Sequence, residues 1–88
     1  MHAEFDGLYI TDKNSLHDCL KERLMFPEYY GRNLEALFDI LTSTPENTVI
    51  TLRNTYAFEE NLGGYGLIFI KVLHQAAIAN PALTIIEE

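Results

Sequence analysis

Three short runs of strand-forming residues punctuate this chain: HAEF near the start, TVITL at Thr48–Leu52 and LTII at Leu83–Ile86. Each is separated from the next by two helix-patterned stretches. The order strand, helix, helix, strand, helix, helix, strand implies crossovers packed on a small parallel sheet. Right-handed crossovers put the helices between successive strands on one face. The expectation is therefore an α/β fold, a three-stranded parallel sheet packed with helices in the order β-α-α-β-α-α-β, forming a single domain over residues 1–88. A chain of 88 residues buries only about 60–65% of its unfolded surface. A composition that is 48% hydrophobic, with five Phe and five Tyr, suits such a core and argues against disorder.

The opening MHAEFDG reads as a strand ended by a turn at Asp6-Gly7. The first helix is expected to start with Asn14 as N-cap and to run through SLHDCLKERLMF until Pro27 closes it. Its buried stripe is Leu16, Cys19, Leu20 and Leu24, with Asp18, Lys21 and Glu22 in water. A second helix, capped by Asn33, buries Leu34, Leu37, Phe38 and Leu41, an i, i+3, i+4, i+7 pattern. A short helix over Tyr56–Leu62 leads to a hinge, Gly63-Gly64-Tyr65-Gly66. Leu67–Ala79 then reads as a mostly buried helix whose polar stripe is Lys71, His74 and Gln75. Asn80-Pro81 ends it.

Six basic against thirteen acidic residues give a net charge of −7, so binding to nucleic-acid phosphates is not expected. No apolar run approaches the roughly 20 residues of a membrane helix, and no membrane contact is expected. The N-terminus lacks a basic region followed by an apolar stretch, and Cys19 stands alone; both point to cytoplasmic residence.

No enzymatic constellation emerges, and no catalytic residue, cofactor or metal is expected. His2, His17 and His74 lie at no metal-ligand spacing from one another. His17 sits beside the apolar stripe of its helix and reads as a hydrogen-bonded structural histidine, His74 as a solvated or rim residue. Cys19 reads as a small hydrophobe. The glycine run lacks the Lys and Ser/Thr of a phosphate loop. Glu35 and Asp39 project the same way, about 5–6 Å apart at Cβ, rather than flanking a substrate as a glycosidase pair does.

A protein-binding face explains the acidic helix more easily. Like charges at i, i+4 destabilise a helix by roughly 0.2–0.5 kcal/mol. The macrodipole favours Glu35 in the first turn but gives Asp39 no comparable help. Stability does not select this arrangement, whereas a basic partner does. Tyr29, Tyr30 and Phe38 supply aromatics of the kind enriched at interface centres. Tyr30 and Phe38 read first as core residues, Tyr29 as exposed. Asn33 caps its helix and still offers an amide to a partner.

The segment PEYYGRNLEALFDILT, with SLHDCLKE and the closing TII, resembles the barstar family, the intracellular inhibitors of barnase-type ribonucleases. The similarity spans nearly the whole chain. It implies a barstar-like fold and a one-to-one complex between a basic barnase-like ribonuclease and an inhibitor that is monomeric when free. The family lays this helix and its preceding loop across the nuclease active site. By position, the resemblance makes Asp39 the central anchor and Glu35 a supporting charge. Tyr29 would pack on the active-site wall, Gly31 and Asn33 would hydrogen-bond the nuclease loop, and Thr42 would help at the helix end. Gln75 falls where the family can place an acid, and Phe38 where it has a tryptophan. Arg32 replaces an acid, to pair with Glu35 or with an acid on the partner. An adaptor for some other basic protein is the alternative reading of the same face.

Overall fold

A computed structural model describes all residues, 1–88. The strands are β1 (His2–Asp6), β2 (Thr48–Arg53) and β3 (Leu83–Glu87). They pair in parallel in the order β1-β2-β3, with Ala3 opposite Ile50 and Ile50 opposite Ile85. The helices are α1 (Lys13–Arg23), α2 (Leu34–Ser43), α3 (Tyr56–Leu62) and α4 (Gly64–Ala79), with a single 3-10 turn at Gly7–Tyr9. The α/β architecture read from the sequence is the one the chain adopts.

Strand alternation decides which face is covered. Ala3, Phe5, Ile50, Leu52, Leu83 and Ile85 point inward and join one core cluster with Leu16, Leu20, Leu37, Leu41, Phe58, Phe69 and Leu73 from the helices. The other face carries His2, Glu4, Arg53, Thr84, Ile86 and Glu88, all exposed, around half-buried Val49 and buried Thr51. All four helices therefore cover one side, as crossovers of this order require. The acidic helix runs alongside α4. It reaches the core through buried Leu37 and Leu41.

Local chemistry moved two boundaries. The first helix is capped by Asp12, not Asn14. The Asp12 carboxylate accepts from the Ser15 N–H at 2.8 Å, and Ser15 Oγ accepts from the Asp12 N–H at 3.3 Å. This reciprocal pair satisfies two otherwise free donors, which Asn14 within the first turn has no geometry to do. The same helix stops at Arg23, before Pro27. Met25 takes a left-handed φ of 57°, and the Phe26 N–H turns back to the Lys21 carbonyl at 2.9 Å. That is the Schellman ending, here with methionine where glycine is usual.

The glycine run also divides differently from the expected hinge. Gly63 alone makes the break, at φ 63°, and α4 already begins at Gly64. Gly66 sits inside the helix because α3 crosses close above it. A Cβ there would lie 2.2 Å from the Phe58 carbonyl oxygen.

Candidate functional site

The second helix owes its start to Asn33, whose side-chain oxygen accepts from the Ala36 N–H at 2.7 Å while its backbone carbonyl accepts from the Leu37 N–H at 3.0 Å. This cap sets the helix rotation. Leu37 and Leu41 then face the core, Leu34 and Phe38 lie half-buried at its margin, and Glu35 and Asp39 face solvent. Neither carboxylate takes part in any ion pair or side-chain hydrogen bond; the chain's ion pairs lie elsewhere. Phe38, assigned to the contact surface by the resemblance, thus also packs on the core edge.

The loop before the helix sorts its two tyrosines to opposite sides. Tyr30 is buried, and its hydroxyl lies 2.7 Å from His17 Nδ1. Its ring stacks obliquely on Phe26, with centroids 4.8 Å apart. Burial pushes the Tyr30 phenol well above its usual range, with the Tyr65 phenol adding to the shift and Arg32 opposing it. Tyr29 points the other way, 85% exposed, and its hydroxyl bonds nothing in the chain.

Gly31 is exposed and its carbonyl accepts from the Asn33 amide at 3.3 Å. A Cβ at Gly31 would meet the Ala36 Cβ at 3.1 Å, so the turn is tight. The backbone N–H groups of Gly31, Arg32 and Asn33 have no partner within the chain. Thr42 is partly committed: its hydroxyl donates to the Phe38 carbonyl at 2.8 Å. Gln75 lies exposed on α4, the helix against which α2 packs.

Arg32 does not pair with Glu35. With φ at 56°, the chain turns so that its guanidinium meets Asp18 on α1 at 2.8 Å and the Asn14 carbonyl at 3.3 Å. Both partners are substantially exposed, so the pair contributes at most about 1 kcal/mol. Its consequence is electrostatic: the loop's one cation is drawn off the acidic face.

The site also rests on contacts that no local pattern revealed. His17 is buried between two phenols, with Nε2 2.7 Å from the Tyr65 hydroxyl on α4. The expected structural histidine is thus present, joining three elements. Burial foremost, with help from the Arg32 charge, holds its pKa below the ordinary value, while Asp18 opposes the shift. Asn80 donates to the Leu41 carbonyl at 2.8 Å and the Thr44 carbonyl at 2.9 Å, closing the far end of α2. Adjacency to Pro81 marked Asn80 only as a helix end. His74, expected in solvent or at a rim, pairs with Glu87 across α4 and β3.

No surface hollow is lined by Tyr29, Glu35 or Asp39. No group of three or more His, Cys, Asp or Glu side chains is placed to hold a metal ion, and no helix is long and apolar enough to cross a membrane. The outward face of α2 thus presents Glu35 and Asp39 to solvent, with Tyr29 exposed in the loop before it.

Comparison with known proteins identifies the family of the chain. The family model described as Barstar (barnase inhibitor) matches residues 1–83. A Bacillus subtilis (strain 168) protein named "Putative ribonuclease inhibitor YrdF" is 38% identical over 72 residues, which is 81% of this chain and 79% of that protein. The chain belongs to the barstar family, whose members are ribonuclease inhibitors and not enzymes.

Proposed function

We propose that this protein is the immunity partner of a basic, barnase-like ribonuclease, bound one to one in the cytoplasm of the producing cell. The loop Pro27–Asn33 and α2 lie across the nuclease active site and block it sterically and electrostatically. Asp39 occupies the cationic pocket that receives a substrate phosphate, and Glu35 adds a second charge at its rim. Tyr29 packs on the pocket wall. The free N–H groups around Gly31 and Asn33 donate to the nuclease backbone, with Phe38, Thr42 and Gln75 at the margins. The observation that carries this reading is the pair of carboxylates on α2, uncompensated by any cation of their own chain and flanked by an aromatic ring in open solvent.

Such a face attracts a basic cleft over long range, raising association toward roughly 10⁸–10⁹ M⁻¹s⁻¹ at low salt. The test is RNA cleavage by a panel of barnase-like ribonucleases, titrated with wild type and Asp39→Ala at several salt concentrations. Wild type silences at least one nuclease, with association slowing as salt rises. Asp39→Ala loses roughly 2–5 kcal/mol of binding or more, the general cost of truncating one partner of a buried charge pair. Equal protection by Asp39→Ala would falsify the anchor assignment. Binding to a basic protein that cleaves no RNA favours an adaptor using the same face.

A further inference from the structure

We propose that His17 and Asn80 are positioning residues that hold the two ends of the inhibitory segment in one conformation; this rests on the inhibitory role proposed above. Neither touches a partner directly, since His17 is 2% exposed and Asn80 9%. At the loop end, His17 on α1 fixes the Tyr30 hydroxyl, and Tyr30 immediately follows the exposed Tyr29. The segment Pro27–Asn33 has little to hold it otherwise. Its one internal backbone hydrogen bond joins the Tyr30 N–H to the Pro27 carbonyl at 3.0 Å, and its ion pairs, Glu28 with Lys21 and Arg32 with Asp18, are surface ones.

At the helix end, hydroxyls of Thr42, Ser43 and Thr44 serve the carbonyls of Phe38, Asp39 and Ile40. The Leu41 carbonyl is served by Asn80. The two anchors share a frame, because the second ring nitrogen of His17 meets Tyr65 at the start of α4 and Asn80 caps that helix's end. A segment held in its binding geometry avoids the penalty of a rarely populated competent state. If release leaves the competent form populated about a tenth of the time, apparent affinity falls about ten-fold.

Tyr30→Phe removes one oxygen from the loop anchor, and Asn80→Ala removes the helix anchor. Both are compared with wild type at a temperature where circular dichroism shows each folded. Barnase is the first probe, followed by whichever barnase-like nuclease the wild type inhibits. Each variant should inhibit about ten-fold more weakly. Amide exchange should quicken at Tyr30, Ala36 and Leu37 for Tyr30→Phe and in the last turn of α2 for Asn80→Ala, with β2 unchanged.

Combining Tyr29→Ala with Tyr30→Phe should give less than the sum of the two losses, since the anchor acts through what it places. Inhibition within two-fold of wild type, full additivity, or faster exchange spread evenly through β2 overturns the proposal. If Asn80→Ala does not fold, Asn80→Ser takes its place. A wild type that leaves every nuclease active sinks the inhibitory reading instead, and the exchange pattern still decides whether the ends are anchored.

Discussion

On the open face of the sheet, Arg53 reaches Glu4 and Glu88 at 2.8 Å each, and Asp6 accepts from the Asn54 amide and the Leu8 N–H. On the outward face of α2, Glu35 and Asp39 stand one turn apart with no such partner. Both surfaces are wet and acidic, yet only the first gives its carboxylates partners within the chain. The hydrogen bond and charge of Arg53 hold the Glu4 carboxyl below its usual range. A strand face that nothing covers gains from internal pairing, which also discourages association with other sheets. The proposed docking face would gain nothing from it, because every internal cation would have to be displaced on binding. Unpaired charge in a chain able to pair it elsewhere is thus the more informative kind.

Charge reversal on the two faces attacks this contrast most strongly. Asp39→Lys and Glu4→Lys change the net charge equally. The first should abolish inhibition, with several kcal/mol of like-charge repulsion against the nuclease. The second should leave the inhibition constant near wild type in the same titration. Equal losses would mean that overall charge, not the α2 face, drives binding.

Helix capping sharpens the comparison at the level of stability. Asn33→Ala should lower unfolding free energy by about 1 kcal/mol in denaturant melts and weaken inhibition as well, because the cap also orients the acidic face. Arg53→Ala should change stability by less than about 1 kcal/mol and leave inhibition intact.

Acid should act on the site through its support. An unfolded chain protonates His17 near the ordinary value of 6.5, whereas the folded protein resists that proton. The unfolded state therefore binds more protons as pH falls below 6.5, and stability declines until the depressed folded value is passed. His17→Gln should flatten this part of the stability–pH curve. An unchanged slope assigns the dependence to another group.

The smallest effect runs in the opposite direction. Asp39→Asn relieves repulsion with Glu35 and should raise stability by roughly 0.2–0.5 kcal/mol while weakening inhibition. A gain in stability with a loss of function is the signature expected of charge kept for a partner.

Much of this fold follows from local sequence pattern. The stripe from Leu34 to Leu41 and the cap at Asn33 were legible because a helix face and its first turn involve residues within a few positions of each other. TVITL and LTII were legible because buried parallel strands favour β-branched runs. The same locality misplaced the first cap, since both Asp12 and Asn14 precede an apolar stripe. The reciprocal bond between Asp12 and Ser15 separated them. It also hid Gly66, whose need for a bare Cα arises from Phe58 on another helix.

What depended on elements meeting through space lay beyond any window of sequence. The sequence already places Tyr30 in the core and Tyr29 in water, but only the fold brings His17 to the Tyr30 hydroxyl. Arg32 has acids at several distances along the chain, and the left-handed turn at that residue chose Asp18 over Glu35. The order of elements, the core stripes and the two carboxylates on one face were written in residue order, because hydrophobic periodicity and side-chain spacing are local quantities. Which groups remained free to bind was settled by packing, because a polar atom's availability depends on every neighbour folding brings to it.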